Sequence, residues 1–481
     1  MKLNKLINTK IELDIEALMV DSRTPAKNAI FFCVKGMKND GHNFIDQAID
    51  HGAICIIHSC DLRLYKPFIE YIKVNDVLSE LTRILPIFYN KPSSKIDIFG
   101  ITGTNGKSTI AKTIQYLINQ DHKHCGYIGT ISIDYANFVC EPDFTTPDPI
   151  KIHDILKDML EHEVTHLALE VSSQGLDQGR VDALRFKTAI FTNLTHDHLD
   201  YHGTMESYYL AKKHIFDLLD HDGSAIINID DPYGNRLLKE LSTKKISYGI
   251  EHPADYFAKQ IEFRNNHTEF TLVFKKQEFK VKTNLLALFN IYNLLAVIAA
   301  CHCRGMSLET IIPLLSTIPQ IEGRMEMILE GQNFNCIIDY AHTPDGFEKI
   351  FTYAKMITSN KSKIIVVFGT AGHRDTKKRP ILGAIAEKYC SMIIITEEDP
   401  RTESPLEIAK EVASGIKTGV YSIVVDRYDA IRQSLEMANQ GDTVLILGLG
   451  VQKYMYRKYG KERYTGDDVI VKELIHSVIL P

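Results

Sequence analysis

The sequence has no uninterrupted apolar run of the roughly 18 residues that a membrane-spanning helix needs. Met1 to Asn8 carries two lysines but no apolar core of signal-peptide length, so a cytoplasmic protein without membrane insertion is expected. Paired CxxC spacing is also missing. Nine cysteines are scattered along the chain, and the tight Cys301-His302-Cys303 cluster lacks the second ligand pair of a structural zinc site. They read as reduced, mostly buried thiols. Nor is there an excess of basic charge: a formal net charge of -6 gives no electrostatic footprint for nucleic acid, so any bound phosphate must be gripped locally. Long low-complexity tracts and short-period repeats are absent, which argues against disordered tails and solenoids.

What is present is the balance of a globular protein, with 44% hydrophobic and 24% charged residues. A chain of 481 residues is too long for one ordinary core, and three domains are expected. Residues 1–92 carry short apolar runs, Ala29 to Val34 and Ala53 to His58, between polar turns, as in a small α/β module. Tyr89 to Ser94, with Pro92, suits a linker. Residues 93–320 begin with strand, glycine turn and helix (Ile96 to Ile101, Gly103 to Gly106, Ser108 to Asn119). Apolar strands then recur at His166 to Val171, Thr188 to Leu194 and Ser224 to Ile229. A central, P-loop-like domain built on a mostly parallel sheet is expected. Residues 321–481 offer strands at Cys336 to Tyr340, Ile364 to Gly369, Met392 to Thr396 and Thr443 to Gly448, and a helix at Pro405 to Ile416. That pattern predicts a Rossmann-like α/β domain.

The strongest local signal is Gly103-Thr104-Asn105-Gly106-Lys107-Ser108-Thr109, between a strand and a helix. Its backbone N–H groups and the helix N-terminus can surround nucleotide phosphates, Lys107 can reach the outer phosphates, and Ser108 can hold Mg²⁺. The spacing is shorter than GxxxxGK[ST], and taken alone the stretch is also compatible with an ordinary glycine turn. Glu170 closes an apolar strand, where ligands of open α/β sheets bind, although a solvated strand-end charge is the plainer alternative.

This compact loop resembles that of Mur ligases and folylpolyglutamate synthetases. Thr145-Thr146-Pro147-Asp148-Pro149, Glu170-Val171-Ser172-Ser173-Gln174 and the run from Thr192 through His196-Asp197-His198 to Met205 resemble motifs of the MurE type of Mur ligase, in its order. The resemblance implies that Glu170 and His198 hold magnesium with Ser108. It also implies that Lys212, in Tyr209-Leu-Ala-Lys212-Lys213-His-Ile-Phe216, is carbamylated and joins them; a solvated helix lysine is the alternative. Asn290 and Asn293 would meet the adenine end of ATP, where helix capping is the other reading, and Ala287 and Leu288 stand where the family usually has a glycine nearby. Arg324, Asp339 and His342 match nucleotide-facing positions, each with an ordinary salt-bridge alternative. Asp21-Ser22-Arg23 and the stretch from Lys35 to His42 resemble the amino-terminal domain that receives the UDP portion. Ser22, Thr145, Thr146, Ser172, Gln178 and Arg180 would bind the UDP-muramyl dipeptide.

The implied reaction, on ATP and Mg²⁺, forms an acyl phosphate on the dipeptide and then an amide with an incoming diamino acid. For that amino acid the resemblance points to Arg374, Asp399, Arg401, Gly448 and Gln452. Here the sequence departs from the diaminopimelate form: Asp-Asn-Pro-Arg has become Glu398-Asp399-Pro400-Arg401, and Gly-Lys-Gly-His-Glu has become Gly448-Leu449-Gly450-Val451-Gln452. An added acid at Asp399 and a lost one at Gln452 lean towards L-lysine, while Arg401 suits meso-diaminopimelate. A monomer is expected. Two rivals are a folylpolyglutamate synthetase-like ligase, which lacks the amino-terminal UDP domain, and a nucleotide-binding paralogue without ligase activity.

Overall fold

The computed structural model describes residues 1–36, 39–264 and 267–479, so the Lys35 to His42 stretch includes two residues outside the described ones. It is a mixed α/β fold with two compact units. One comprises Met1–Gly100, His122–Ala189 and His214–Gly223; the other comprises Ile101–Asp121, Ile190–Lys213 and Ser224–Pro481. Among the described residues no helix is long and apolar enough to cross a membrane.

The first unit opens on a four-stranded parallel sheet, Ala17–Met19, Ala29–Phe32, Ala53–His58 and Glu70–Lys73, in chain order. Its central strands are apolar up to the closing His58 because both faces are covered: Ile30, Phe32, Cys55 and Ile57 enter one core, Ala29, Phe31, Ala53 and Ile56 another. The helix Val77–Phe88 covers the first face, started by Asp76, whose carboxylate accepts from Leu78 N at 3.0 Å. The expected linker is a sharp turn, with Asn90 and Lys91 both left-handed (φ 58° and 51°) ahead of a 3₁₀ turn, Pro92–Ser94. In the same unit Cys125–Ile128 pairs parallel with His166–Glu170 and antiparallel with Ile133–Tyr135, which continues into Phe138–Cys140.

The strands Asp97–Thr102, Phe186–Phe191 and Leu219–Asn228 pass from one unit to the other along the chain. In the second unit Leu219–Asn228 pairs parallel with Lys244–Gly249, Ile226 opposite Ile246. An antiparallel meander, Tyr256–Phe263, Thr268–Phe274 and Gln277–Thr283, follows. The meander was not expected. Its last strand alternates charged and apolar residues, a half-buried pattern that carries less apolar signal than the buried parallel strands.

The second unit also holds a six-stranded sheet in the order Glu326–Ile328, Asn335–Asp339, Thr443–Leu447, Ile364–Phe368, Met392–Ile395, Tyr421–Ile423, parallel except for the first strand. The last strand in sequence lies inside the sheet, so the ends of Asn335–Asp339 and Thr443–Leu447 sit side by side, with Gly448 N donating to Asp339 O at 3.1 Å. Such an end is where open α/β sheets bind ligands. The helix expected from Pro405 to Ile416 stops at Ala413. A Cβ on Gly415 would lie 1.8 Å from Pro380 O, so the chain passes too close to Pro380 for another side chain.

Beneath this end Arg427 and Asp467 form a fully buried pair, Nε–Oδ1 2.8 Å and Nη2–Oδ2 2.7 Å, and Arg427 also donates to Leu447 O at 2.9 Å. Removing one member leaves the other charge in a dry site. Asp467→Ala is therefore expected to destabilise by about 3–5 kcal/mol, and Arg427→Met with Asp467→Leu by clearly less. The urea midpoint of unfolding checks both.

Candidate active site

The phosphate loop is set by two glycines that nothing else can replace. Gly103 has φ 145° and a Cβ there would lie 1.8 Å from Thr192 Oγ1; Gly106 has φ 93° and its Cβ would lie 2.4 Å from Asn293 Oδ1. The loop between them is tied from behind: Asn193 Oδ1 accepts from Asn105 N at 3.0 Å, and Thr192 Oγ1 donates to Asn105 O at 2.6 Å. Asn105 Nδ2 donates to Asp345 at 2.8 Å, and Thr104 Oγ1 accepts from Thr195 N at 3.0 Å. The helix Lys107–Gln120 starts at Gly106 with no side-chain cap. Its first-turn N–H groups are thus available to an anion. Lys107 Nζ folds back on Gly103 O (3.0 Å) and Thr104 O (2.9 Å), Ser108 Oγ accepts from Arg324 Nη2 at 2.9 Å, and Thr109 is buried in the first turn.

Lys212, from the helix Met205–Lys213, is 1% exposed and donates to the same Gly103 O at 2.8 Å, its Nζ 4.6 Å from the Tyr208 ring. Burial, aided by the Lys107 charge, pushes its ammonium well below the usual lysine range. A neutral amine is the nucleophilic form that carbamylation requires. Its neighbour Lys213 instead pairs with Glu240 at 2.7 Å on a partly exposed face. His198 is left-handed (φ 54°), its Nε2 3.4 Å from Asp197 Oδ2. Burial lowers its pKa to about 3 despite Asp197, leaving a neutral ring. Asp197 also lies 3.6 Å from His342 Nε2. It stands inside the quoted motif, yet sequence reading did not single it out, because its neighbour was the expected ligand.

Asn290 and Asn293 lie buried on the helix Leu288–Cys303 and cap nothing: Asn290 Nδ2 donates to Leu286 O, Asn293 Nδ2 to Asn290 Oδ1. The N-cap is Ala287, at φ 73°, a conformation that favours the glycine the family usually has nearby. Arg324 lies 4.5 Å over the Tyr340 ring. Asp339 accepts from Met325 N and Ala341 N, both at 2.7 Å, and burial raises its pKa against the pull of Arg324.

In the loops that follow strands of the six-stranded sheet, Asp399 Oδ1 accepts from Tyr456 N (2.8 Å) and Gln452 Nε2 (3.3 Å), and Arg401 donates to Gly372 O. Burial and the Arg374 cation both lower the Arg401 pKa, so two guanidinium groups share one neighbourhood suited to carboxylates. Gly448 has φ 112°, and a Cβ there would lie 2.1 Å from Glu398 Oε2. Glu398 was not anticipated. Burial pushes its pKa up to about 7, offset in part by His342, Arg427 and Lys378, and its Oε2 accepts no hydrogen bond from the described residues.

The first unit groups a second set. Glu170 is fully buried and accepts from Tyr127 OH (2.5 Å), Thr130 N (3.1 Å) and Thr130 Oγ1 (3.1 Å), which rules out the solvated strand-end reading. Thr130 Oγ1 lies 3.1 Å from Thr145 Oγ1. Thr146 Oγ1 donates to Glu170 O at 2.9 Å and accepts from Ser172 N at 3.0 Å. Arg180 donates to Thr146 O at 2.7 Å and to Gln178 Oε1 at 2.7 Å. Ser22 lies apart in the four-stranded module, buried and donating to Gln47 at 2.7 Å.

The donor chemistry suits triphosphate and a hard cation. Loop amides and Lys107 meet phosphate, while the Ser108 hydroxyl and the neutral His198 ring offer lone pairs. Lys212 as an ammonium offers none; only carbamylation would give it an anionic oxygen. The loop shape itself is testable. Gly103→Ala is expected to weaken nucleoside triphosphate binding about tenfold or more, whereas Gly305→Ala, at φ 97° but in open space, is expected to leave it unchanged. Titration with a fluorescent nucleotide reads both.

Three family models match: "Mur ligase family, catalytic domain" over 14–84, "Mur ligase middle domain" over 101–301 and "Mur ligase, glutamate ligase domain" over 323–450. A UDP-N-acetylmuramoyl-L-alanyl-D-glutamate–2,6-diaminopimelate ligase of Clostridium acetobutylicum is 38% identical over 94% of this chain and 95% of its own. A ligase of the same name from Clostridium botulinum is 37% identical over 97% and 96%. A solved structure with that enzyme name superposes with a TM-score of 0.69 at 28% identity, over 99% of both chains. With its phosphate loop, its two α/β units and these relatives, the chain belongs to the Mur ligase family, as an ATP-dependent amide ligase of the MurE type.

Proposed function

We propose that the chain joins a diamino acid to UDP-N-acetylmuramoyl-L-alanyl-D-glutamate in peptidoglycan synthesis, in the cytoplasm and as a monomer. The observation that carries this reading is Lys212, buried beside the phosphate loop with its Nζ on Gly103 O, where ordinary helix lysines are solvated; burial pushes its pKa well below the usual lysine range. Residues 1–92 would take the UDP portion, 93–320 ATP, and 321–481 the amino acid.

Lys107 leaves the loop carbonyls to pair with the outer phosphates, and Arg324 leaves Ser108 to join it, so two cations meet the transferring phosphoryl group. Magnesium, held by Ser108, Glu170, His198 and a carbamylated Lys212, would supply further positive charge there. Asn290, Asn293, Asp339 and His342 orient the nucleoside. Thr145, Thr146, Ser172, Gln178 and Arg180 hold the dipeptide so that its terminal carboxylate faces the phosphate, and Ser22 holds the UDP end. The carboxylate takes the γ-phosphoryl group of ATP with release of ADP, the amino group attacks the acyl phosphate, and the tetrahedral intermediate expels phosphate, so no side-chain nucleophile is needed.

For the incoming amino acid, meso-diaminopimelate is the first reading. The relatives carry that substrate in their names, and Arg374 and Arg401 offer paired guanidinium groups for its two carboxylates. L-lysine is the second, because Asp399 puts an acid where the diaminopimelate form has a neutral asparagine, beside the buried Glu398, whose Oε2 no described donor reaches.

Competition of the two amino acids at equal concentration, with ATP and the UDP-muramyl dipeptide, decides between them; predominant diaminopimelate product is expected, and predominant lysine product reverses the assignment. Lys212→Ala is expected to cost at least about 100-fold in turnover, with partial rescue by short-chain carboxylates, while Lys213→Ala stays near wild type. Unchanged turnover in Lys212→Ala would remove that residue from the site. Phosphate release that does not depend on both the dipeptide and an amino acid would favour the paralogue reading.

A further inference from the structure

Phe144 is one of several exposed apolar side chains of the first unit and is set apart from them by its neighbours. It follows Glu141-Pro142-Asp143 in a polar loop and is 58% exposed, so one side of the ring is open to a ligand. Directly after it come Thr145 and Thr146, and its ring lies 4.7 Å from the guanidinium carbon of Arg180. That guanidinium is fixed in its own plane by Thr146 O and Gln178 Oε1. The aromatic ring therefore lies against one face of a fixed cation whose edges are already oriented by hydrogen bonds.

A π-face beside a positioned guanidinium presents two kinds of recognition at once. The cation meets an anionic group, and the exposed ring meets C–H groups of a sugar or methyl carried on the same molecule. The expected dipeptide has both: carboxylates on its glutamyl residue, and next to them the alanyl methyl and the muramyl ring.

We propose that Phe144 is a specificity-determining residue of the ligase, its exposed ring taking an apolar C–H face of the UDP-muramyl dipeptide while Arg180 pairs with a carboxylate of the same molecule. This rests on the substrate reading above. The contact is made in the ground state and in the transition state alike, so it acts on affinity for one substrate and not on the chemical step.

Steady-state kinetics on the full chain test it. Phe144→Ala is expected to raise KM for the UDP-muramyl dipeptide about tenfold, with kcat and the KM values for ATP and the amino acid within about twofold. Phe144→Tyr, which keeps the ring, is expected to restore the wild-type KM. A dipeptide KM unchanged in Phe144→Ala overturns the proposal. So does an equal rise in the KM of every substrate, or a rise that Phe144→Tyr fails to reverse. If the wild-type chain releases no phosphate in response to the dipeptide, the substrate reading itself has failed and the proposal falls with it; activity in the wild type with no KM split in the variants sinks the Phe144 proposal alone.

Discussion

Two lysine side chains converge on one backbone carbonyl, that of Gly103, and the rest of the nucleotide site is arranged around that crowding. Lys107 and Lys212 donate to it at 3.0 and 2.8 Å. Two ammonium charges on one oxygen in a buried place repel each other, which favours loss of a proton from the more buried one. Lys212 is the more deeply buried, and burial pushes its pKa well below the usual lysine range. Lys107, at the mouth of a helix with no capping side chain, keeps a route to an anion in front of the loop. The contact that ties both residues to the loop thus leaves them in different surroundings, Lys107 at the mouth of the helix and Lys212 in the interior.

This division was only partly legible in the residue order. The strand, glycine turn and helix around Gly103 to Thr109 follow from local pattern, and so do the buried strands Ala53–His58 and Ile364–Phe368, whose continuous apolar runs leave little ambiguity. The choice between Lys212 and Lys213 is different. Both lie in one helical run, and what separates them is that Glu240, Tyr209 and Arg236 form a surface cluster that takes Lys213. That cluster unites side chains that are distant in sequence and have no common motif. Asp197 escaped for a similar reason: its closeness to His342 joins residues far apart in the chain.

Other features were hidden because they are matters of backbone strain. Ala287 adopts a left-handed conformation that glycine takes freely, and no propensity argument would assign it to alanine. It sits at the start of the helix bearing Asn290 and Asn293, whose first turn directs Asn293 Oδ1 against Gly106. A strained residue at that point persists only because its surroundings hold it, and the apolar packing of Ala287 with Ile337, Phe347 and their neighbours supplies that hold. The geometry of the phosphate loop therefore depends on a core located well along the chain.

Charge balance in the amino-acid region follows the same logic of burial against pairing. Arg427 and Asp467 neutralise each other completely, whereas Glu398, a few ångströms of chain from Asp399, is buried with an oxygen that no described donor reaches. A buried carboxylate without a partner either takes up a proton or waits for a donor from outside. Replacement of the family's aspartate by a longer acid at this position moves that oxygen against Gly448, where any side chain would collide with it. Glycine at 448 is the family's own, and the longer acid at 398 fits against it because the facing residue has no Cβ. Arg374 and Arg401 bring positive charge to the same region, so a substrate carrying both ammonium and carboxylate groups matches the local field in a way that a plain carboxylic acid or a plain amine does not.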